Sequence, residues 1–107
     1  MKSRVMYIES KSGETAGQAR IGRVSFSKTG STLRYGDLEF ISLKGSGFKA
    51  NYLEVSSRDE YWISGRRKDG QDRLYVSSIP VEIDDDVRDE YWCNIRGLPE
   101  YKARARA

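Results

Sequence analysis

The chain has 107 residues, of which 33% are charged and 37% belong to the hydrophobic set. This length supports one domain with its own core, and two Trp, seven Tyr and three Phe argue against disorder. A sequence without histidine excludes the Ser-His-Asp and Cys-His forms of catalysis, and Cys93 as sole cysteine leaves too few ligands for zinc. We expect a cytoplasmic protein, because the chain has neither a membrane-spanning apolar run nor a signal-peptide core and forms no internal disulfide.

The net charge of +3 is unevenly distributed along the chain. Residues 1–53 carry nine Lys or Arg and four Asp or Glu, whereas residues 54–101 carry seven and twelve. Lys102, Arg104 and Arg106 therefore account for the whole net charge, so the basic pI of 9.1 is weak evidence for nucleic-acid binding. The two larger segments have charges of +5 and −5, and we expect them to attract each other within the fold.

The first half of the chain is typical of a β-meander, in which short strands follow one another with a turn after each. Four consecutive apolar residues from Val5 to Ile8 indicate a strand that is covered on both faces. Turn signals occur at Thr29-Gly30-Ser31, Gly36-Asp37 and Ser57-Arg58-Asp59. The predicted strands are residues 4–9, 20–28, 32–35, 38–43 and 51–56.

A hairpin is predicted over residues 60–76, with Asp69-Gly70 in its turn. Because strand side chains alternate, Tyr61 and Ile63 share one face of its first strand and Trp62 points to the other. Pro80 then precedes a short strand at residues 81–83, a position where a sheet tolerates proline.

Beyond residue 83 the apolar period changes to that of a helix. Val87, Tyr91 and Ile95 lie four residues apart and form one apolar stripe, with Trp92 beside it. Aspartate at the start and Gly97 at the end predict a helix over about residues 85–96. We expect Cys93 to be exposed and inert, and residues 102–107 to form a disordered basic tail outside the domain of residues 1–101.

These elements predict a mainly β (α+β) fold. The expected architecture is a small antiparallel bent sheet, or an SH3-like partly open barrel of five to seven strands, with one C-terminal helix packed on it. The helix is needed because a sheet with apolar residues on both faces requires a cover.

Three stretches carry a resemblance to known proteins: residues 22–30, residues 60–75 and residues 81–92. Together they resemble a family of small bacterial proteins of about this length whose function is not established. The resemblance extends over nearly the whole chain. It implies no activity, cofactor or functional residue.

The hairpin contains the best candidate binding surface, since aromatic side chains beside cations on a sheet can stack bases and hold phosphates. Trp62 and Tyr75 are expected on one sheet face, with Tyr52 beside them. The alternative is that these aromatic rings lie beneath the C-terminal helix as part of the core. The candidate residues are Arg66, Arg67, Lys68, Arg73, Trp62, Tyr75 and Tyr52.

The lack of catalytic groups favours a non-enzymatic binding module that recognises another macromolecule, most simply a protein. The alternative is binding of RNA or single-stranded DNA through the basic hairpin at residues 65–75. A second alternative is a metal-dependent enzyme at Asp84, Asp85 and Asp86, although aspartates at this position are typical of helix N-caps. We expect no cofactor and no membrane association.

Overall fold

The computed structural model describes residues 2–13, 16–43, 50–65 and 81–106, which form seven strands and a C-terminal helical region. The first six strands close into an antiparallel barrel, because each pairs with the next along the chain and β6 pairs back onto β1. This confirms the predicted small SH3-like barrel with one helix, and closure leaves no open edge among these six strands. The strands are β1 (Lys2–Ser10), β2 (Ala19–Phe26), β3 (Thr32–Tyr35), β4 (Leu38–Ser42), β5 (Tyr52–Glu54), β6 (Glu60–Gly65) and β7 (Val81–Ile83).

Strand β7 is an addition to the barrel wall and runs parallel to β2. Ala19 pairs with Val81 and Ile21 with Ile83, while the other end of β2 pairs with β3. The first strand of the predicted hairpin is β6. Its predicted second strand lies outside the described residues.

The predicted turns are present at the ends of the short strands. Gly36 begins the two-residue connection between β3 and β4 with a φ of 57°, a left-handed conformation that glycine adopts without a steric cost. Arg58, in the reversal between β5 and β6, has a φ of 65°. In that turn the buried Glu54 carboxylate accepts bonds from the Ser56 hydroxyl at 2.6 Å and the Ser57 amide at 2.9 Å.

The helical region covers residues 85–95 and combines a 3₁₀ turn (Asp85–Val87), an α turn (Arg88–Glu90) and a wider π turn (Tyr91–Ile95). We call it the C-terminal helix. Its length agrees with the prediction, and Gly97 follows it with a φ of 67°. The prediction of a side-chain N-cap is wrong. Asp84 occupies the cap position, but its side chain accepts no hydrogen bond from the helix backbone.

Apolar side chains of the described residues form two clusters, one on each side of the barrel wall. The barrel core fills the interior, and the helix-side core lies between the outer face of the wall and the C-terminal helix. Strands β1 and β2 contribute to both clusters, which explains the four consecutive apolar residues in β1. The barrel core contains Ile8, Val24, Leu33, Phe40 and Ile63. The helix-side core contains Val5, Tyr7, Ala19, Ile21, Ile83, Val87, Tyr91 and Trp92.

The basic segment at residues 102–106 differs from the predicted disordered tail. The Ile83 amide donates a hydrogen bond to the Ala105 carbonyl at 2.7 Å, and Arg106 pairs with Glu82 as an antiparallel bridge. The segment therefore lies along the edge of β7. Sequence patterning missed this contact because it is made mainly by the backbone.

Candidate functional site

The structure places two of the seven predicted binding residues, Trp62 in β6 and Tyr52 in β5. The other five lie outside the described residues, so the predicted cationic loop keeps its status as a prediction. They are Arg66, Arg67, Lys68, Arg73 and Tyr75.

Trp62 and Tyr52 lie on opposite sides of the barrel wall. Tyr52 pairs directly with Tyr61, and both rings pack against the barrel core. Trp62 packs against the helix-side core. The expectation that Tyr52 lies beside Trp62 is therefore wrong, because Tyr52 is in register with Tyr61, and neighbouring residues of a strand point to opposite faces.

The indole of Trp62 is half-buried, and its polar atom faces inwards. Nε1 is shielded from solvent and has no hydrogen-bond partner in the part of the chain that the structure describes. This placement resembles the alternative in which the hairpin aromatics pack beneath the helix. It provides little open ring face for stacking a base.

A polar cluster that sequence reasoning missed joins β2, β3 and the start of the C-terminal helix. The Tyr35 hydroxyl donates a hydrogen bond to one oxygen of Asp84. The Arg20 guanidinium donates from Nε to the other oxygen at 2.7 Å and to the Tyr35 hydroxyl at 3.2 Å. We call these three residues the Arg20–Tyr35–Asp84 cluster. It attaches the helix to the barrel, which explains why Asp84 does not cap the helix.

Gly22 makes room for this cluster. A Cβ atom at residue 22 would lie 2.5 Å from both Asp84 Oδ2 and Tyr35 Cε1, closer than non-bonded atoms approach. An isolated glycine inside a predicted strand indicates such a close approach, and it was the available sequence signal for the cluster. The cluster borders an open groove of about 630 Å³, to which Arg23, Asp37 and Asp86 also contribute.

The environment of the cluster keeps the Tyr35 phenol protonated at neutral pH. Burial and the hydrogen bond to Asp84 raise the pKa of Tyr35 above its ordinary value. The contact with Asp84 likewise raises the pKa of Arg20. A phenol held in this state can donate a hydrogen bond but is a poor base at neutral pH. The geometry therefore favours a structural role over a proton-transfer role.

A second buried polar group lies at the end of β1. Tyr7 donates to Glu9 Oε1 at 2.5 Å, and Lys11 forms an ion pair with Glu9 Oε2 at 2.7 Å. Glu9 is directly opposite Trp62 in the pairing of β1 with β6. The lysine compensates the buried carboxylate charge, as buried ionised groups require.

The three consecutive aspartates do not converge on one site. Asp84 belongs to the Arg20–Tyr35–Asp84 cluster, and Asp85 is paired with Arg88 at 2.6 Å. Across the described ranges, no group of three or more Asp, Glu, Cys or His side chains is arranged to hold a metal ion.

Cys93 is half-buried, whereas the sequence predicts an exposed thiol. Its Sγ lies 3.7 Å from Asp89 Oδ1. Desolvation and then the nearby Asp89 carboxylate raise the pKa of the thiol, so the reactive thiolate is disfavoured at neutral pH. The expected lack of reactivity therefore has a physical basis in these surroundings.

The oppositely charged segments of the chain contact each other, as their charges predict. Arg20 pairs with Asp84, and Arg23 Nη2 lies 2.6 Å from Glu90 Oε1. These basic residues come from β2 and the acidic residues from the helical region. Part of the charge asymmetry thus serves folding and is not evidence for a partner.

The outer face of β4 and β5 carries apolar side chains in contact with solvent. Ile41 is directly opposite Leu53 in the strand pairing. Val55 lies in the turn just after β5, where its amide donates to the Glu39 carbonyl of β4 at 2.8 Å. The exposed fractions are 41% for Ile41 and 43% for Val55, while Leu53 is half-buried. We call these three residues the apolar patch.

Comparisons of the chain with family models, curated proteins and solved structures give no match. The resemblance to small bacterial proteins therefore stays a prediction from the sequence. Within the described residues, no helix combines the length and apolar character needed to cross a membrane.

Proposed function

We propose that this protein is a small non-enzymatic binding module of the cytoplasm that recognises another protein. The observation that carries the proposal is the apolar patch on the outer face of β4 and β5. The barrel core and the helix-side core account for the other large apolar side chains of these strands and of the helix. Ile41 and Val55 instead expose two-fifths of their surface to water. Exposed apolar side chains at neighbouring strands offer a surface that a partner protein can cover.

The surroundings of the apolar patch favour a protein over a nucleic acid. Arg34 Nη2 on β3 and Glu39 Oε1 on β4 lie 3.2 Å apart, so the positive charge of Arg34 beside the patch is compensated. An apolar centre beside polar groups of both signs is the usual composition of a protein–protein interface. Phosphate binding instead requires uncompensated cations.

Binding of RNA or single-stranded DNA through residues 65–75 stays the alternative. Trp62 and Tyr52, the two described aromatics of that hypothesis, are half-buried and lie on opposite sides of the wall. The decisive measurement is a salt titration with a fluorescent oligonucleotide. Phosphate contacts require the affinity to fall steeply as salt rises, and charge reversal of Arg66 and Arg67 must abolish binding.

The protein-binding proposal is tested with Ile41→Lys and Val55→Lys, which place a charge in the apolar patch. Gln18→Lys, in the exposed connection between β1 and β2, adds the same charge elsewhere and is the matched control. Each chain is immobilised at equal density and exposed to extract from the source organism. Bound proteins are quantified by mass spectrometry, and circular dichroism verifies each fold.

We expect one or more proteins to bind the unchanged chain and Gln18→Lys equally and to be lost with both patch variants. A set of bound proteins that is the same for all four chains would refute the proposal. So would turnover of a small molecule in a metabolite screen together with the lack of any patch-dependent partner.

A further inference from the structure

We propose that the edge of β7 is a docking site for an extended basic segment of a partner protein. In this structure the basic segment of the chain itself, residues 102–106, occupies the site. The inference rests on the proposed role as a protein-binding module, but it concerns a surface separate from the apolar patch. The evidence is the way in which the chain holds its own segment.

Residues 105 and 106 contact β7 through one backbone hydrogen bond and one isolated antiparallel bridge, which are the contacts that begin an added strand. The Ile83 amide donates to the Ala105 carbonyl at 2.7 Å, and Glu82 faces Arg106 in antiparallel pairing. Arg106 Nε also lies 3.0 Å from Glu82 Oε1. Main-chain pairing at a sheet edge provides binding that depends little on sequence, whereas the ion pair selects for a cation at one position.

A side chain of the helix extends this recognition by one residue. The Trp92 indole donates from Nε1 to the Arg104 carbonyl at 3.0 Å. The Arg104 guanidinium lies over the Tyr101 ring at 4.8 Å, and Tyr101 in turn contacts the edge of Trp92 at 5.5 Å between ring centroids. The site therefore holds the backbone of residues 104 and 105 through two donors and the Arg106 cation through Glu82, whereas the Arg104 cation is held by Tyr101 beside the segment.

The acid that faces the segment suits a basic occupant, since Glu82 pairs with Arg106. Residues 81–101 contain seven Asp or Glu and two Arg, but Asp84, Asp85 and Glu90 are already paired with arginines of this chain, whereas residues 102–106 contain three Lys or Arg and no acid. Long-range attraction between such segments accelerates encounter and disfavours acidic competitors. An acidic or neutral strand would leave Glu82 without a partner.

The attachment of the basic segment is weak enough to be exchanged. Its side chains are exposed throughout, and the Arg106–Glu82 pair is at the surface, where ion pairs contribute about 0–1 kcal/mol. The segment competes with a partner for the edge of β7 mainly because it is tethered to the chain, which gives it a high effective concentration. A partner that adds further contacts displaces it without unfolding the barrel, since the barrel core lies elsewhere, but the partner must cover Ile83 and Trp92 of the helix-side core in its place.

The test uses the full chain and a dye-labelled peptide with the sequence of residues 101–106, followed by fluorescence anisotropy. Arg106→Glu weakens the tethered competitor by placing two acids together, so we expect about fivefold tighter peptide binding than in the unchanged chain. Glu82→Lys must bind the peptide at least about fivefold more weakly than Arg106→Glu does. Arg34→Glu disrupts another exposed ion pair and must bind like the unchanged chain.

The indole N–H signals of the two tryptophans report the site directly in nuclear magnetic resonance spectra. We expect the Trp92 signal to shift in Arg106→Glu and to return when the peptide is added, while the Trp62 signal stays in place. A peptide with Glu at the position of Arg106 must bind Glu82→Arg better than the unchanged chain. This charge exchange separates recognition at β7 from a general loss of structure.

Equal peptide affinity of Arg106→Glu and Glu82→Lys would overturn the inference. A concentration-dependent dimer of the unchanged chain that Arg106→Glu dissociates would also overturn it, because a second copy would then be the occupant. The apolar patch is tested independently with Ile41→Lys. If the peptide binds normally but no protein from extract depends on the apolar patch, only the proposed function is contradicted. If proteins from extract depend on the apolar patch but the peptide does not bind, only this inference is contradicted.

Discussion

Replacing Gly22 with alanine tests whether the Arg20–Tyr35–Asp84 cluster holds the helical region on the barrel. The new Cβ would lie 2.5 Å from Asp84 Oδ2 and 2.5 Å from Tyr35 Cε1. Neither atom can move without a cost, because Asp84 is bonded to Arg20 and the Tyr35 ring packs against the barrel core. The hydrogen bond between Tyr35 and Asp84 must therefore break.

The expected cost follows from the contacts that are lost. A hydrogen bond to a charged group contributes about 1.5–3 kcal/mol, and forcing an extra carbon into a packed site costs about 1–3 kcal/mol. The ion pair between Arg20 and Asp84 adds little, because the arginine is exposed. With partial relaxation, we expect Gly22→Ala to lower the free energy of unfolding by about 2–4 kcal/mol.

The assay is urea denaturation followed by tryptophan fluorescence, with Gly65→Ala as the matched control. Gly65 also lies in a strand, but the nearest atom to its added Cβ is Arg4 Nη2 at 3.9 Å, an ordinary contact. We expect that control to change the free energy of unfolding by no more than about 0.5 kcal/mol. Equal effects of the two substitutions would refute the close approach of Tyr35 and Asp84.

Three further predictions concern single side chains. Hydrogen bonds from the Ser56 hydroxyl and from the Ser56 and Ser57 amides hold the pKa of Glu54 at about 2. The resulting stability advantage over Glu54→Gln, about 1–2 kcal/mol because the turn residues around the carboxylate are exposed, must be present above pH 4.5 and disappear towards pH 2 in acid unfolding curves. Trp62→Phe should cost under about 1.5 kcal/mol in urea, because the lost Nε1 donor is unpaired among the described residues; a larger loss indicates a missing partner. Cys93 should react with a disulfide reagent at pH 8 more slowly than a model thiol, and Asp89→Asn should accelerate the reaction; no acceleration would exclude the carboxylate as a cause.

Local patterns predicted the elements of this fold well. The turn at Gly36-Asp37 and the strands on either side of it occur as expected, and residues 81–83 form the short strand predicted after Pro80. The stripe formed by Val87, Tyr91 and Ile95 faces the helix-side core. These features depend on alternation, turn chemistry and helical spacing, which are properties of neighbouring residues.

The candidate sites were harder to predict because they join distant parts of the chain. Asp84 was expected to cap the helix, but Tyr35, 49 positions away, and Arg20, 64 positions away, compete for the same carboxylate. Tyr52 was expected beside Trp62, but the register of β5 against β6 turns it to the other side of the wall. A shift of one residue reverses every side chain of a strand, and β5, with Tyr52 and Leu53 adjacent, does not itself indicate which of the two faces inwards.

The sequence by itself determined the β-rich class, the order of the strands described and the presence of one amphipathic helix, because side-chain alternation and glycine turns act over a few residues. Tertiary structure alone decided the closure of β6 onto β1, the parallel addition of β7 to β2, and the attachment of residues 104–106 to the β7 edge. The physical reason is that backbone hydrogen bonds between strands carry no residue code. Which edges meet depends on the packing of the two cores as a whole.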